Sequence, residues 1–364
     1  MGKTHTYAYK SLSMLYEPAP ARINLVAAAV RNPDSQKLAV EQGGFQFTTA
    51  DYRELIARDD IDIINCCTPN DSHKEIVLAA MQSGKHVYVD KPLAASLAEA
   101  EEIAETEAEL VSDGDTRTRQ MAHNYRFVPA VMRAKEIMDE GRLGRIYTFN
   151  FRYIHNSNTD PTKPLHWKSD RTVGGGVMVD LGSHIVDLAF FLLGEFESVL
   201  AHPFTQITQR PGPDGKPLPV NGDDACYVMA RLKNGAVGTL EANKLATGSN
   251  DELTFEIRGE KGALLFNLMN PNWLHFFDGE RPERPLGGER GFTAIECVQR
   301  YPKPASLPGP KLTVGWMRFH IHSIYDFVSR VVEGNPGSPS FTDALRVHQV
   351  LETCYSSPGV WTQV

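Results

Sequence analysis

The chain has 364 residues, which at about 150 residues per domain favours two domains. A hydrophobic share of 41% and a charged share of 23% are ordinary for a globular protein and exclude collagen, a coiled coil and a disordered polymer. With 37 Lys and Arg against 45 Asp and Glu, the formal net charge is −8, which argues against nucleic acid or an anionic membrane as the main partner.

The first 120 residues alternate short apolar runs with helical patterns. Strands are predicted at 23–30, 61–67, 86–90 and 119–125, and a helix at 73–85. A capping box, Ser96 with Glu99, opens a further helix. Strands that alternate with helices predict a parallel sheet built from βαβ units, so the first domain belongs to the α/β class.

The pattern changes after about residue 125. A helix at 129–141, a strand at 146–154 and a helix at 183–193 precede strands at 226–232, 236–243, 253–259, 263–268 and 273–277. Asn234-Gly235 is a strong hairpin signal between two of these strands. The second domain is therefore expected to hold an open, mostly antiparallel sheet with helices on one face, and helices near 318–333 and 341–355 close the chain.

The cysteines and the N-terminus favour a cytoplasmic location. Five cysteines form an odd, scattered set, and Cys66 and Cys67 stand side by side in an apolar run that is typical of a buried strand. No Cys/His spacing resembles a zinc site, and no apolar run approaches the roughly 18 residues that span a bilayer. The first ten residues lack the apolar segment of a secretion signal. We expect no metal and no membrane partner.

The densest group of reactive side chains lies at 174–187. Asp180 and His184 are four residues apart, so a helix places them on one face, one turn apart. A carboxylate beside an imidazole is the basic unit of general acid–base catalysis, and the glycines at 174–176 would let backbone approach a ligand. A helix start capped by Asp180, with His184 as a buried structural histidine, explains the same residues equally well.

Two further groups follow predicted strands. Lys91 stands at a strand end, where open α/β sheets bind ligands, and Pro92 holds it extended with either peptide isomer allowed. Thr68 and Asn70 precede a helix whose first N–H groups attract anions. Each group alone is better explained as a turn. Together they indicate the edge of the sheet where a cofactor crevice would lie.

Four motifs occur in order along the chain. They are T-P-N-x-x-H at 68–73, D-K-P at 90–92, N-Y-R-F-x-P-A at 124–130 and G-G-x-x-x-D-x-G-x-H-x-x-D at 175–187. Together they resemble the Gfo/Idh/MocA family of NAD(P)-dependent oxidoreductases, which includes glucose–fructose oxidoreductase and inositol dehydrogenases. The resemblance implies a dinucleotide-binding Rossmann domain over 1–122 and a substrate-binding and oligomerisation domain over 123–364. It also implies hydride transfer between a sugar or cyclitol hydroxyl and NAD or NADP, in a homodimer or homotetramer.

The resemblance also implies roles for individual residues. His184 becomes the general acid–base, with Lys91 and Asp180 as the other catalytic residues. The residues expected to bind the cofactor are Gly2, His5, Arg31, Asn32, Thr68, Asn70, His73, Asp90, Lys91, Trp167 and Lys168. The chemistry agrees, because a histidine can take the hydroxyl proton and an ammonium can stabilise the developing alkoxide.

The polar and aromatic residues before the glycine run suit a polyhydroxylated ligand. The residues expected to contact it are Lys91, Asn124, Tyr153, His155, His166, Asp180 and His184. A solvated loop around a core tryptophan is the alternative explanation of the part before the glycines.

Two features depart from the family pattern. The sequence opens at Met1-Gly2 as if at the tail of G-x-G-x-x-G, so the first strand and two glycines are missing, and we expect a mis-assigned start or a truncated form. After the strand at 23–30, Arg31 stands where an acidic residue would bind the ribose, which favours the 2′-phosphate of NADP. If Arg31 instead stacks on adenine, either dinucleotide is acceptable.

Two other functions fit the same residues. One is redox-assisted glycoside cleavage, in which NAD is used transiently. The other is a non-catalytic dinucleotide-fold sensor or partner subunit, which the missing glycines favour and the intact set of Lys91, Asp180 and His184 opposes.

Overall fold

The computed structural model describes residues 1–364. Its helices are α1 (Gly2–Leu15), α2 (Pro33–Leu38), α3 (Tyr52–Ile56), α4 (His73–Gln82), α5 (Leu97–Ser112), α6 (Pro129–Asp139), α7 (Ser183–Leu193), α8 (Trp316–Glu333) and α9 (Phe341–Ser356). Strands of the first third are β1 (Ala27–Ala29), β2 (Phe47–Thr49), β3 (Ile63–Cys66), β4 (His86–Val89) and β5 (Arg119–Met121). The later strands are β6 (Ile146–Ile154), β7 (Phe196–Phe204), β8 (Gln209–Pro211), β9 (Pro217–Pro219), β10 (Ala225–Leu232), β11 (Val237–Asn243), β12 (Glu252–Gly259), β13 (Gly262–Asn267), β14 (Trp273–Asp278), β15 (Phe292–Glu296) and β16 (Thr362–Gln363).

The chain forms two compact units, and each takes residues from more than one segment. The first unit contains 1–124, 301–309 and 315–345, and the second contains 125–300, 310–314 and 346–364. The sequence places everything after residue 122 in one domain, so the return of α8 to the first unit is a difference. Its cause is the apolar stripe of α8, with Ile321, Ile324 and Phe327 buried in one cluster with residues of α1.

The first unit is an α/β layer structure built on parallel strands. The sheets are a β1–β2 pair and a three-stranded β3–β4–β5 sheet, both parallel as predicted. β1 pairs only with β2, and β3 pairs only with β4, so both strands lie at sheet edges. The predicted strand at 23–30 shrinks to β1 because Ile23 and Leu25 pack against the core without joining a ladder.

Local signals in the sequence account for several element boundaries. α5 begins where the capping box predicts, because the Ser96 hydroxyl accepts a hydrogen bond from the Glu99 N–H at 3.3 Å. The Glu99 carboxylate accepts the N–H of Ala95 at 3.0 Å, one residue before the donor that a capping box predicts. The hairpin between β10 and β11 turns at Gly235, whose φ of 89° is accessible to glycine.

The second unit is built on one nine-stranded sheet. The strand order is β15-β14-β13-β12-β6-β11-β10-β7-β16, and only the β6–β11 pair is parallel, so the sheet is mostly antiparallel as predicted. Helices α6 and α7 pack on one face of this sheet. Along β10 the burial alternates, with Val228 and Ala230 inside and Tyr227 and Met229 outside, which leaves the opposite face without a helix layer.

The stretch Arg171–Leu193, which ends in α7, corrects one expectation. It is long and apolar enough to cross a membrane, although no run of that length was expected. However, 83% of its apolar window is buried inside the structure, which is typical of the core helix of a globular unit. The stretch carries Asp180 and His184, so the helix that forms the core of the second unit also positions the candidate site.

Candidate active site

Asp180 and His184 lie on one continuous helical segment. Asp180 sits in a π-helical turn, Met178–Gly182, that runs directly into α7, and His184 is the second residue of α7. Turns of this kind occur frequently at functional sites. The His184 side chain is buried, with its ring centroid 4.7 Å from that of Tyr125 and 5.7 Å from that of Tyr153. The predicted one-turn spacing is therefore present, in a partly π-helical form.

Two lysines hold the Asp180 carboxylate. The Lys244 ammonium lies 2.7 Å from Oδ2, and the Lys168 ammonium lies 3.0 Å from Oδ1 and 3.2 Å from Oδ2. The Lys244 side chain is only 6% exposed, whereas that of Lys168 is 44% exposed. Lys168 was expected at the cofactor, and Lys244 was not singled out from the sequence. One signal could have found it, because period-two alternation puts Lys244 on the buried side of β11 with Leu240 and Ala242.

Tyr153 is part of a buried hydrogen-bonded group. Its hydroxyl donates to Asp251 Oδ1 at 2.6 Å and lies 2.8 Å from the hydroxyl of Tyr125. Burial raises the pKa of the Tyr153 hydroxyl well above its usual range, and the nearby Tyr125 adds to this shift. Tyr153 is therefore a neutral donor whose hydroxyl has partners within the unit. Its expected role in sugar binding stays a prediction.

Two neutral histidines stand near the Asp180 carboxylate. Burial lowers the pKa of His155, and the Lys244 ammonium lowers it further. Burial also lowers the pKa of His166, with Lys168 as the next cause. The Nδ1 atoms of His155 and His166 accept the backbone N–H groups of Ser157 at 3.2 Å and Lys168 at 3.3 Å. Both rings can therefore offer a hydroxyl-rich ligand an uncharged donor.

The glycine run approaches protein backbone, whereas the sequence suggested that it would approach a ligand. A Cβ on Gly175 would lie 2.6 Å from the carbonyl oxygens of Trp167 and Asp170. Gly176 has a φ of 111°, and a Cβ there would lie 2.5 Å from a carboxylate oxygen of Asp223. Asp223 in turn accepts the N–H of Val177 at 2.9 Å. The glycines thus let the loop of Trp167 and Lys168 fold closely against the start of the helical segment.

In the first unit, one histidine ties two strand ends together. The ring nitrogens of His73 lie 2.9 Å from the carbonyl oxygens of Pro92 and Thr68. The N–H of Asp90 also donates to the carbonyl of Cys66 at 2.8 Å, and the Lys91–Pro92 peptide bond is cis. The loops after β3 and β4 are therefore held together by His73, which has no exposed surface.

The other predicted cofactor residues of the first unit are more spread out. Gly2 begins α1, and a Cβ there would meet Cys67 Sγ at an ordinary 3.6 Å. His5 is buried with its Nδ1 beside the side chain of Asn65. Of the rest, Arg31 is exposed, Asn32 caps α2 and Asn70 is buried in a 3₁₀ turn. Asn124, which was expected to contact the substrate, has its Nδ2 atom buried without a hydrogen-bond partner.

The first unit suits a dinucleotide. Two residues beyond the ends of its parallel strands β1, β3 and β4 stand Arg31, Thr68 and Lys91, whose side chains can donate to phosphate or ribose oxygens. α1 has no acidic residue in its first turn and no side-chain cap at Met1, so no side chain competes with an anion for its first N–H groups. These residues fit a nicotinamide dinucleotide, and the nicotinamide would supply the redox chemistry when it is bound.

Comparison with known proteins agrees with this description. Residues 1–111 match the oxidoreductase family with an NAD-binding Rossmann fold, and residues 131–265 match the GFO/IDH/MocA C-terminal domain. Levoglucosan dehydrogenase of Pseudarthrobacter phenanthrenivorans is 35% identical over 95% of this chain and 90% of its own. A solved levoglucosan dehydrogenase in complex with NADH and L-sorbose superposes with a TM-score of 0.93 at 34% identity, covering 100% of this chain and 96% of that one. Myo-inositol 2-dehydrogenase of Thermotoga maritima is 26% identical over 79% of each chain.

The fold and the matched segments define an NAD-binding oxidoreductase with a Rossmann unit and a second α/β unit. The chain belongs to the Gfo/Idh/MocA family, as both matched segments and the full-length relative show. The predicted enzyme class and cofactor are thereby confirmed, and the non-catalytic alternative has no support among these relatives, which are named dehydrogenases.

Proposed function

We propose that this protein oxidises a secondary hydroxyl of a sugar or cyclitol with NAD as the acceptor. The observation that carries the proposal is the segment of Asp180 and His184, with the carboxylate fixed by two lysines and the imidazole set between two tyrosine rings. Membership in a family with sugar and inositol dehydrogenases supports the substrate class.

Each proposed catalytic residue has one task. His184 takes the hydroxyl proton, because a neutral imidazole is a base of suitable strength near neutral pH. Lys91, at the end of β4, stabilises the developing alkoxide with its ammonium group. Asp180 accepts a hydrogen bond from the substrate, since an ionised carboxylate binds hydroxyl donors strongly. The nicotinamide, when bound, accepts the hydride.

The substrate is proposed to be an uncharged, cyclic polyol. His155 and His166 are neutral, since burial lowers the pKa of each, and they suit hydroxyl groups better than phosphate or carboxylate. Levoglucosan dehydrogenase, the 35% identical relative, is named for such a compound and has been solved with NADH and levoglucosan. Redox-assisted glycoside cleavage uses the same residues, but no feature of the structure favours it.

Cofactor choice, assembly and location belong to the same proposal. NAD is proposed over NADP because the similar solved dehydrogenases hold NADH, although Arg31 would also accept a 2′-phosphate. The uncovered face of the nine-stranded sheet is proposed to pair copies of the chain in a homo-oligomer. The five cysteines are free thiols, which supports the cytoplasm as the location.

The experiment that tests this function replaces the proposed base. We expect His184→Asn to lower kcat for sugar oxidation by about 10²- to 10⁴-fold, the usual contribution of a general base. NADH affinity should stay unchanged, because His184 is proposed to act on the substrate hydroxyl. Lys261→Met, at an exposed lysine of the same unit, serves as the control. Wild-type turnover in His184→Asn would contradict the assignment.

A further inference from the structure

We propose that Lys244 is a positioning residue, which holds the carboxylate of Asp180 in place as an ionised acceptor for a hydroxyl of the bound sugar. The inference rests on the proposed function and deepens it, since neither the sequence motifs nor the matched families assign a role to this lysine. It starts from a contact between two side chains of the second unit, the Lys244 ammonium and Asp180 Oδ2, 2.7 Å apart.

The backbone of Lys244 is fixed on both sides. Its N–H donates to the carbonyl of Asp224 at 2.9 Å, and its carbonyl accepts the N–H of Asn158 at 3.0 Å. Lys244 directly follows β11, so the sheet sets the direction in which its side chain leaves the backbone. A long side chain anchored in this way can hold a partner in one place, whereas an exposed lysine moves freely.

Burial makes the pair strongly interdependent. The Lys244 side chain is 6% exposed and that of Asp180 is 15% exposed, so little water screens the two charges. Removing one partner from a buried ion pair leaves the other charge uncompensated. Lys168 adds a second cation from the half-exposed side, and the pair of lysines around one carboxylate strongly favours its ionised form.

The two histidines near this carboxylate add no positive charge to its surroundings. His155, at the end of β6, and His166, before the Trp167–Ser169 turn, are neutral because burial lowers their pKa values. Asp251, before β12, adds a negative charge near His155 and is bonded to Tyr153. Lys168 and Lys244 both contact the Asp180 carboxylate, and Lys244 is the one shielded from water.

An ionised Asp180 serves the reaction by accepting hydrogen bonds from hydroxyl groups of the substrate. A sugar hydroxyl that donates to a carboxylate forms a charge-assisted bond, which is both stronger and more directional than a bond to a neutral oxygen. If Lys244 fixes the carboxylate, its loss should weaken sugar binding and make the carboxylate easier to protonate. NAD binding should not change.

The test compares Lys244→Met and Lys244→Arg with Lys261→Met. Lys261 forms an exposed pair with Glu280 in the same unit and serves as the matched control. In Lys244→Met we expect the KM for the sugar to rise about 10- to 100-fold and NADH affinity to stay constant. The acid limb of the kcat/KM profile should move to higher pH by about one unit, since loss of a nearby positive charge favours the protonated forms of both the base His184 and the Asp180 carboxyl. Lys244→Arg should keep the acid limb in place, because it keeps the charge.

Other results would overturn the inference. If Lys244→Met lowers the unfolding temperature but changes neither the KM for the sugar nor the position of the acid limb, Lys244 is a structural residue only. If Lys244→Met does not fold, Lys168→Met decides, because loss of the half-exposed cation must move the acid limb in the same direction. If the acid limb of Lys168→Met stays at its wild-type pH, the proposed role of Lys244 is rejected. A wild-type protein that oxidises no sugar or cyclitol removes the proposed function as well, whereas an active wild type with unmoved variants rejects the inference alone.

Discussion

Arg31 is the side chain that bears most directly on the choice of cofactor. It lies in the exposed loop after β1, and the neighbouring Asn32 uses its side chain to cap α2 by accepting the N–H of Ser35 at 3.0 Å. A guanidinium in this place can bind a 2′-phosphate, and an acidic residue would instead bind the ribose hydroxyls.

We expect Arg31→Asp to lower NADPH affinity about tenfold or more, equivalent to about 1.4 kcal/mol of binding free energy. NADH affinity should change little, because the aspartate can accept bonds from both ribose hydroxyls. Fluorescence titration of wild type and variant with each dinucleotide measures both effects. An NADPH affinity equal to that of wild type would show that Arg31 does not face the 2′ position.

The sequence singled out the candidate catalytic residues more readily than the side chains that contact them. Asp180 and His184 were singled out because their spacing and motif are local in the chain. Lys244 and Asp251 were not, because the alternation along β11 marks Lys244 only as buried, and no local pattern shows which residue either side chain contacts. The glycine run was interpreted as a place where backbone could approach a ligand. In the structure, Asp223 and the Trp167–Asp170 loop occupy the space beside these glycines.

Helix α8 carries two buried histidines that link stability to pH. His322 Nδ1 lies 2.8 Å from the hydroxyl of Tyr16, whereas both ring nitrogens of His320 are buried without a hydrogen-bond partner. Burial lowers the pKa of each to about 3, with His5 adding to the shift of His320 and Arg318 to that of His322. Both rings are therefore neutral in the folded chain at pH values where they are protonated in the unfolded chain.

The sign of the effect follows from these shifts. A histidine whose folded pKa lies below its unfolded value of 6.5 gives its full stability above pH 6.5 and loses it as the pH falls toward 3. At pH 5 we expect a loss of about 2 kcal/mol per histidine relative to pH 7. His320→Phe should make the loss of unfolding free energy between pH 7 and pH 5 smaller by about 2 kcal/mol, the share of one histidine. Chemical unfolding at both pH values measures this difference. Identical pH dependence in wild type and His320→Phe would contradict the assignment.

Most of the predicted helices and antiparallel strands lie where the sequence pattern places them, whereas α1, β7 and β15 were not predicted. α7 and β6 have the bounds that periodicity predicts. The π-helical turn before α7 was not predicted, because apolar spacing does not distinguish it from an ordinary turn. Gly182 lies within that turn, where a Cβ would meet Met178 Sδ at 2.4 Å. The return of α8 to the first unit could not be predicted either, since an apolar stripe does not identify the element against which it packs.

At the scale of the molecule, the uncovered sheet face of the second unit is the feature left to explain. The residues of this face alternate with buried residues along β10, β11 and β14, and among them Tyr227 and Met229 are each 47% exposed. Arg152 and Glu241 form an ion pair in its middle, with Nε and Oε2 3.0 Å apart. A face with apolar edges and paired charges suits contact with a second copy of itself.

We expect Met229→Arg to shift the protein toward the monomer, because it adds an unpaired charge to the proposed contact. Light scattering after size-exclusion chromatography gives the mass directly. Met269→Arg, an exposed methionine in the turn after β13, is the matched control and should keep the wild-type mass. A monomeric wild type, or an oligomer unchanged in Met229→Arg, would contradict this use of the face.

The most direct test of the proposed function is NADH formation by the wild-type protein with NAD and a panel of cyclic sugars and cyclitols, including levoglucosan and myo-inositol. We expect stoichiometric NADH and a ketone product with at least one of them. NADH binding without NADH formation from any member would contradict the dehydrogenase assignment, and glycoside cleavage without net NADH would point to the redox-assisted reaction in its place.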